Sequence, residues 1–372
     1  MRNEIKSNQL AVLLLLIVPG GKYLSLPSIL SQMVGRDAWI VMGLMLLIDA
    51  VGLCLVLWGL HLNSEGKSFF EILQQSVSKI VAILIVTMFI ALFSLKATFI
   101  LTSCYHLFSV NFSVKTGWFG FVLPIAILSV FIISKGFGSI AKMGELFVFI
   151  ITLSLAIILF FSTKVAEFDD LRPMLVDGFL PVAKSLPQVA FWFGDYVFIL
   201  FVMDNVKKQK GLFCFPLVYF AISVVLVVFM TVLFVALFGP LSSIGKIAIS
   251  KVSQFLLPAS LNGRLDWLSM SIWVSTLFLK LFVYCYCIYK SYEYLFSTPS
   301  AKFNLWQGIL VVIPMVIIPL FVNVDGLVNL VMTSWIQYVV IVVTHLIPFL
   351  TPLFVKIANL KRPQRSIKDG TT

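Results

Sequence analysis

The sequence contains very little charge for its length. Only 12% of its 372 residues are Asp, Glu, Lys or Arg, and 60% are hydrophobic, whereas an ordinary soluble domain is about a quarter charged. No stretch of soluble composition is long enough to form a separate domain. The net charge of +11 therefore does not indicate nucleic-acid binding, which would need such a domain. It predicts contact with anionic lipid headgroups instead.

The sequence also lacks the residue patterns of metal and catalytic sites. Its cysteines are odd in number and fall inside or at the edges of apolar runs, so they do not form a disulfide framework; they are Cys54, Cys104, Cys214, Cys285 and Cys287. The histidines, His61, His106 and His345, are scattered without a second ligand at metal spacing. No phosphate-cradling loop and no nucleophile with its base is present. We therefore expect no metal, no cofactor and no enzymatic activity.

Apolar runs of roughly 20 residues, long enough to cross about 30 Å of hydrocarbon as a helix, recur along nearly the whole chain. They predict an all-α polytopic membrane protein with about ten transmembrane helices in a single transmembrane domain. The predicted spans are residues 9–34 (interrupted), 38–60, 79–107, 117–134, 140–162, 188–203 (short), 212–238, 266–290, 305–322 and 325–352.

The apolar start of the chain could also be interpreted as a secretory signal, because Arg2 and Lys6 precede the run LAVLLLLIV. We expect a first span instead, since no A-x-A-like cleavage site follows and the chain goes on to span repeatedly. Lys and Arg are concentrated in the segments on the N-terminal side of the membrane, including DNVKKQKG and the tail at residues 353–372. The positive-inside rule then predicts that both termini are cytoplasmic.

Six charged residues are predicted at membrane depth: Lys22, Lys96, Lys280, Asp49, Glu145 and Asp195. Each costs on the order of 2.5 to 3.5 kcal/mol at the centre of a spanning helix, so such residues typically line a polar pathway or a binding site inside the bundle. Structural ion pairs and snorkelling to the interface are the alternatives. They apply most to Asp49 and to Glu145, which is close to the start of a span.

Helical phase indicates which spans face the polar interior. In the eighth span one narrow stripe is polar or aromatic while the other faces are mostly aliphatic or Phe; the stripe consists of Ser269, Trp273, Thr276, Lys280, Tyr284 and Cys287. This face is predicted to line a cavity. In the third span Lys96 and a polar stripe that includes Thr98 point in nearly opposite directions, which predicts that this helix is surrounded by protein.

The first and sixth spans contain helix-breaking residues at corresponding positions. The stretch IVPGGKYLSLP interrupts the first span at residues 19–22, and the short sixth span contains Gly194 followed by Asp195. Such interruptions in two halves are typical of an inverted-repeat transporter fold. We expect an inverted 5+5 repeat with broken helices 1 and 6, over about 9–162 and 188–322.

Backbone groups that a break frees are tolerated at membrane depth only where they line a cavity or bind something. The break at Gly20 and Gly21 therefore predicts a ligand site, where the start of the half-helix near Tyr23 and the charge of Lys22 both favour an anion. If the two breaks face each other, Lys22 and Asp195 should share one cavity. A kink without a ligand is the alternative.

Four parts of the sequence carry a family resemblance: PGGKYLSLPSIL followed by GRDAWIV, then LRPMLVDGFLPVAKSLP, FWFGDYVFIL and GRLDWLSMSIWVSTLF. With these, essentially the whole chain resembles the spore germination permease-like proteins. These are the B subunits of the nutrient germinant receptors of endospore-forming bacteria, in the amino acid–polyamine–organocation superfamily. The resemblance implies a LeuT-like fold, the spore inner membrane as location, and a small germinant, commonly an amino acid. It also implies a larger A subunit and a lipoprotein C subunit as partners.

Carried onto this sequence, the resemblance implies that the first break contacts the ligand carboxylate. The sixth-span stretch would approach the ligand's ammonium group or side chain, and spans three and eight would wall the pocket. The expected ligand-binding residues are Gly20, Gly21, Lys22, Tyr23, Lys96, Phe191, Gly194, Asp195, Trp273, Thr276, Lys280 and Tyr284. Many relatives have a small or apolar residue in place of Lys22, so its ammonium group is a candidate for the role of a coupling cation.

Three functions are compatible with this sequence. The first is a sensor, in which ligand binding shifts the bundle between conformations and the change passes to partner subunits. The second is a proton- or ion-coupled amino acid transporter that acts alone, and the third is a structural scaffold subunit. The fold does not separate them, and the family resemblance favours the sensor.

Overall fold

The computed structural model describes residues 4–112, 117–163, 166–207, 209, 211–243, 266–297 and 303–361. The predicted tail beyond residue 361 and the side chain of Ser269 lie outside what it describes. The α-helices are α1 (Ser7–Ile17), α2 (Lys22–Val34), α3 (Ala38–Leu62), α4 (Phe69–Ser76), α5 (Lys79–Phe112), α6 (Trp118–Lys135), α7 (Phe137–Thr163), α8 (Leu180–Val189), α9 (Cys214–Phe238), α10 (Asp266–Leu295), α11 (Leu305–Phe321), α12 (Val324–Thr333), α13 (Ile336–Ile341), α14 (Ile347–Phe349) and α15 (Thr351–Leu360).

Several 3₁₀ segments and one π-helical turn complete the chain in the described ranges. The 3₁₀ segments are Gly35–Asp37, Phe168–Leu171, Ala190–Trp192, Asp195–Val202 and Gly239–Ser243, and the π turn is Val342–Leu346. Each predicted span corresponds to a helix or to a broken helix, which confirms the all-α polytopic fold. Within the described residues, four helical stretches are long and apolar enough to cross a membrane, and the number rises to seven if each of three bent pairs is one span.

The two predicted breaks are present, and each is built on a glycine with positive φ. Between α1 and α2, Gly21 has φ +84°, and the backbone N–H of Lys22 bonds to Pro19 O at 3.1 Å. In the sixth span, Gly194 has φ +74°, and the helical stretches on its two sides differ in direction by 42°. Both conformations are readily available only to glycine.

The predicted tenth span, residues 325–352, differs most from the structure. It is divided between α12 and the helical stretch Ile336–Phe349, and α11 meets the helix at Asp325–Thr333 at 99°. The stretch Ile336–Phe349 in turn bends by 50° into α15, which continues to Leu360, so the start of the predicted tail is helical. Pro352 stands near the start of α15, where its missing N–H and fixed φ favour a new helix start rather than a continuous one.

The connection between the first two spans holds the loop that precedes the sixth span. Arg36 donates a hydrogen bond to Arg172 O, and both carboxylate oxygens of Asp37 accept the backbone N–H of Leu175, at 3.0 and 3.1 Å. Two of the sequence stretches that carry the family resemblance therefore contact each other. Their contact orders a loop at one end of the bundle. It does not involve the polar centre.

Candidate functional site

A buried carboxylate, Asp195, lies at the centre of the polar cluster between the two breaks. Its Oδ2 accepts hydrogen bonds from Lys22 Nζ at 2.5 Å and Lys280 Nζ at 3.0 Å, and its Oδ1 accepts one from the Tyr284 hydroxyl at 2.6 Å. Lys96 Nζ lies 3.7 Å from the same Oδ1. The contact between Lys22 and Asp195 confirms the prediction that these opposite charges share one cavity.

Each of the three lysines also donates a hydrogen bond to a backbone carbonyl at one of the breaks. These bonds run from Lys22 to Val18 O at 2.8 Å, from Lys280 to Gly20 O at 2.6 Å, and from Lys96 to Phe193 O at 2.6 Å. The lysine ammonium groups thus satisfy carbonyls that would otherwise be unpaired at membrane depth, where an unpaired polar group costs several kcal/mol.

The backbone geometry explains why two of these carbonyls are available. The N–H of Lys22 would bond to Val18 O in a regular helix, but it bonds to Pro19 O instead. After the second break, the N–H of Val197 bonds to Gly194 O at 3.2 Å, which leaves Phe193 O without its helical donor. The breaks therefore create acceptors, and acceptors attract ammonium groups.

The cluster contains three ammonium groups and one carboxylate. An ammonium group has three N–H donors. Lys22 uses two of them, for Val18 O and Asp195, and Lys280 uses two for Gly20 O and Asp195. Among the described residues, each of these two lysines therefore keeps one donor for another acceptor. With its excess of positive groups, the cluster is suited to bind a carboxylate or another small anion.

A small cavity of about 20 Å³ lies beside the cluster, which is room for about one water molecule. It is lined by Gly21, Lys96, Phe99, Ile100, Phe191, Trp192, Asp195, Lys280 and Tyr284. Its lining therefore combines charged side chains with aromatic and aliphatic ones. A ligand of amino acid size fits only if the surrounding helices move apart.

A layer of aromatic rings closes the cluster towards the end of the bundle that carries the N-terminus. Phe93 contacts both Tyr284 and Phe201, with ring centroids 5.3 Å apart in each case. Beyond Phe201 lies a cavity of about 420 Å³ with a partly acidic wall that includes Glu71 and Glu293. One aromatic layer thus separates the polar cluster from a cavity large enough for a small metabolite.

Most of the residues expected at the ligand site meet at the breaks: Gly20, Gly21, Lys22, Lys96, Phe191, Asp195, Lys280 and Tyr284. Tyr23 and Trp273 pack against each other instead, with ring centroids 4.6 Å apart, and the Thr276 hydroxyl donates to Trp273 O at 2.7 Å. Glu145 is exposed and accepts a hydrogen bond from Gln9, which corresponds to the interfacial alternative.

Sequence reasoning missed a second polar cluster, on the other side of the sixth-span break. Asp49, buried in α3, accepts the Gly194 N–H with both carboxylate oxygens, at 2.9 and 3.0 Å. His345 Nε2 lies 3.1 Å from Asp49 Oδ1. The available signal was an ionisable residue inside an apolar run; His345 was considered only as a metal ligand, and it has no second ligand at metal spacing in the sequence.

The fold and the polar centre define a class of protein, a polytopic membrane protein built like a transporter. Two solved structures of mutants of the manganese transporter of Eremococcus coleocola superpose with a TM-score of 0.59 each, over 95% of this chain and 84% of theirs, at 12% identity. At that identity the likeness concerns the fold alone. It is consistent with the inverted repeat and the two broken helices.

Sequence comparison identifies the family. The profile of the family described as spore germination protein matches residues 4–325. Spore germination protein A2 of Bacillus subtilis (strain 168) is 27% identical over 154 residues, which are 40% of this chain and 42% of the relative. The alignment thus spans less than half of that relative's length. The chain belongs to the spore germination protein family, and it is an integral, permease-like membrane protein.

Proposed function

We propose that this chain is the membrane-embedded subunit of a nutrient germinant receptor and that it binds an amino acid at the two helix breaks. Binding shifts the bundle between two conformations, and the change passes to a larger A subunit and a lipoprotein C subunit. The complex would lie in the spore inner membrane, with both termini of this chain in the cytoplasm. The family membership supports the germination role.

The observation that carries this proposal is the contact of lysine ammonium groups with carbonyls at the breaks. In cation-coupled carriers of this architecture, carbonyls freed by a break coordinate the driving ion. Here Lys22 and Lys280 donate hydrogen bonds to such carbonyls. A fixed ammonium group attracts a ligand carboxylate without an ion gradient, which suits a receptor that responds to concentration.

The size of the central cavity supports a conformational response. About 20 Å³ does not accommodate an amino acid, so binding requires that the helices around Asp195 separate. A ligand that binds the separated state better shifts the population towards it, and this differential affinity is the only way in which it can do so. The change in helix position would be the signal that reaches the partner subunits.

Reconstitution in liposomes tests the proposal. We expect a thermal-shift screen of the purified protein to find an amino acid that stabilises it, and we expect the liposomes not to accumulate that amino acid when a sodium or proton gradient is imposed. Gradient-driven accumulation by this chain alone would contradict the sensor.

A germination assay on spores tests the role of the two lysines at the first break. In an otherwise intact receptor, Lys22→Ala and Lys280→Ala should weaken or abolish the nutrient response. The control is Lys142→Ala, which removes an exposed lysine of α7 and should leave the response unchanged. A normal response in both central variants would remove these lysines from the site while leaving the receptor role open.

The proposed orientation has its own test. Cysteines introduced at Gln209, and at Gln364 in the tail, should react with an impermeant thiol reagent only from the cytoplasmic side, and one at Asp177 only from the outer side. Opposite labelling would overturn the orientation without changing the fold.

An ion-coupled amino acid transporter is the second candidate. The cavity of about 420 Å³ beyond Phe201 favours it, because a carrier needs a path from its central site to the second side of the membrane. Replacing Phe201 with Ala distinguishes the two functions. The measurement is the passage of the bound amino acid across the membrane. Measurable passage through the wild type, and faster passage through the variant, would support the transporter.

A further inference from the structure

The loop between α7 and α8 exposes large apolar side chains, although it lies outside both helices. It contains the beginning of LRPMLVDGFLPVAKSLP, a stretch that the polar centre does not use. Five of its apolar side chains are between 39% and 70% exposed, and these are Phe168, Met174, Leu175, Val176 and Phe179. Apolar side chains that stay exposed together outside the hydrocarbon mark a surface that contacts something else.

Several contacts fix the backbone of this loop. Both carboxylate oxygens of Asp37 accept the Leu175 N–H, at 3.0 and 3.1 Å. The Gly178 N–H bonds to Leu175 O at 3.0 Å, which closes a turn with Val176 and Asp177 at its tip. Leu175 has φ +52°, a value that bulky residues rarely adopt and that persists only where surrounding contacts enforce it. The surface is therefore preorganised, and little conformational freedom is lost when it binds a partner.

The charges around the apolar side chains indicate which partner fits. Residues 166–179 contain one basic residue, Arg172, and four acidic residues, Glu167, Asp169, Asp170 and Asp177. The segment therefore has a net charge of −3 in a chain whose net charge is +11. Its anchors, Arg36 and Asp37, add no net charge. The exposed surface thus combines apolar side chains with an excess of carboxylates.

A bilayer surface does not match this combination. Segments that lie in the membrane interface carry Lys and Arg, which anionic headgroups attract, whereas these carboxylates would be repelled. Burial of Asp169 or Asp177 in hydrocarbon would also be costly. A symmetric contact between two copies of this loop would place carboxylates on both sides of the interface. A protein segment with positive charge meets neither obstacle.

We propose that residues 166–179 form a docking surface for a second protein, which presents apolar side chains flanked by lysines or arginines. In this contact Leu175 and Val176 are buried at the centre, and the carboxylates form the charged rim. The inference gives the partner subunits of the proposed receptor a place of contact, and to that extent it rests on the proposed function.

The position of the loop connects the docking surface with both broken spans. The half-helix α2, which follows the first break, ends at Val34, and α8, which precedes the second break, begins at Leu180. Between them, Arg36 and Asp37 bind the loop at Arg172 O and the Leu175 N–H. A partner that is docked on the loop would therefore be displaced when either half-helix moves.

Photo-cross-linking in native membranes, with the full chain and its partners, tests the docking surface. A photoreactive phenylalanine at Val176, which is 70% exposed, should form an adduct with a second protein. The cross-linked peptide should contain apolar residues and Lys or Arg. The control is the same photoreactive residue at Phe149 of α7, which is 72% exposed and should yield lipid adducts.

Charge reversal at the rim tests the complementarity. Asp169→Lys together with Asp177→Lys should lower the yield of the Val176 adduct about tenfold or more, because like charges would then face each other across the interface. The neutral pair Asp169→Asn and Asp177→Asn should lower it less. Both aspartates are exposed, so Tm should be unchanged in both double variants, which separates lost docking from lost folding.

The remaining outcomes are distinct. An adduct of Val176 with lipid, with a second copy of this chain or within the same chain would overturn the proposal, and so would no adduct or an equal yield after charge reversal. A normal nutrient response without the adduct would overturn the docking surface while the proposed function stands. The adduct with a basic protein, in spores whose nutrient response does not depend on this chain, would support the docking surface and contradict the receptor role.

Discussion

The two helix breaks are related by the inverted repeat, but their freed backbone groups are satisfied in different ways. The first break offers carbonyls, Val18 O and Gly20 O, and both receive lysine ammonium groups. The second break offers a carbonyl that Lys96 binds and an N–H that Asp49 binds. Side chains of one sign, the lysines, therefore satisfy these carbonyls at the first break, whereas a lysine and an aspartate together satisfy the backbone groups of the second.

This difference separates two tasks. The lysines of the first break, Lys22 and Lys280, each keep one donor without an acceptor among the described residues, so this break is suited to a ligand carboxylate. The second break supplies Asp195, which keeps the lysines in place, and it is itself anchored to α3 and the last span. The first break is thus the better candidate for ligand contact, and the second for conformational control.

The largest effect is expected when the carboxylate shared by both breaks is removed. Asp195→Ala leaves three buried ammonium groups without a counter-ion, which costs roughly 3 to 5 kcal/mol. We expect little folded protein, measured as yield and Tm in detergent. Asp195→Asn, which keeps hydrogen-bonding capacity, should be less damaging. Equal stability of wild type and Asp195→Ala would contradict the arrangement of charges.

The second-largest loss of stability is expected when the backbone conformation of the second break is disturbed. Gly194→Ala places a Cβ 2.6 Å from Thr344 Cβ, at φ +74°, so it combines backbone strain with steric overlap. Gly178→Ala is the matched control, because Gly178 has φ +75° with nothing within 4 Å of its Cβ. The backbone term is about 1 to 2 kcal/mol in both. A Tm loss in Gly194→Ala no greater than in Gly178→Ala would show that the tight contact is unimportant.

A smaller difference in stability is expected between variants that lack a lysine of the first break and variants that lack a lysine of the second. Lys280→Met removes one ammonium group that bonds directly to Asp195 and to Gly20 O. Lys96→Met removes one that bonds to Phe193 O but lies 3.7 Å from Asp195. Each loss leaves a buried acceptor unpaired, at about 1 to 3 kcal/mol, and Lys280→Met should lower Tm more. The reverse order would assign the principal counter-ion to Lys96.

The smallest effect is expected outside both breaks. Asp37→Ala removes the acceptor of the Leu175 N–H at the end of the bundle. Because water can replace this bond, the loss should be about 1 kcal/mol or less, and ligand binding should be unchanged. A loss of binding in this variant would show that the loop before the sixth span takes part in ligand recognition.

Much of the fold follows from the sequence, because hydrophobic length and helix-breaking residues are local properties. The run before Pro19 and the pair Gly20–Gly21 specify the first break by composition, and Gly194 specifies the second. The bend before α15 was missed because proline does not determine whether a helix ends or bends. The outcome at Pro352 depends on packing against α3 and α4.

The candidate site was predictable where charge itself is the signal. Lys22, Lys280 and Asp195 stand out in apolar runs, and the inverted repeat brings them together. The role of the lysines as donors to break carbonyls was not predictable, since it depends on backbone hydrogen bonds that no residue pattern encodes. The Asp49–His345 pair was missed for a related reason: its members are far apart in the chain and meet only through tertiary packing.

The central claim is that fixed ammonium groups at the first break bind a ligand carboxylate without a driving ion. Isothermal titration of the purified protein tests it most directly, with an amino acid from the thermal-shift screen and its carboxamide, each in sodium chloride and in choline chloride. The account predicts that the acid binds equally well in both salts and that the carboxamide binds at least tenfold more weakly, a difference of about 1.4 kcal/mol. Sodium-dependent binding, or equal affinity for acid and carboxamide, would contradict it.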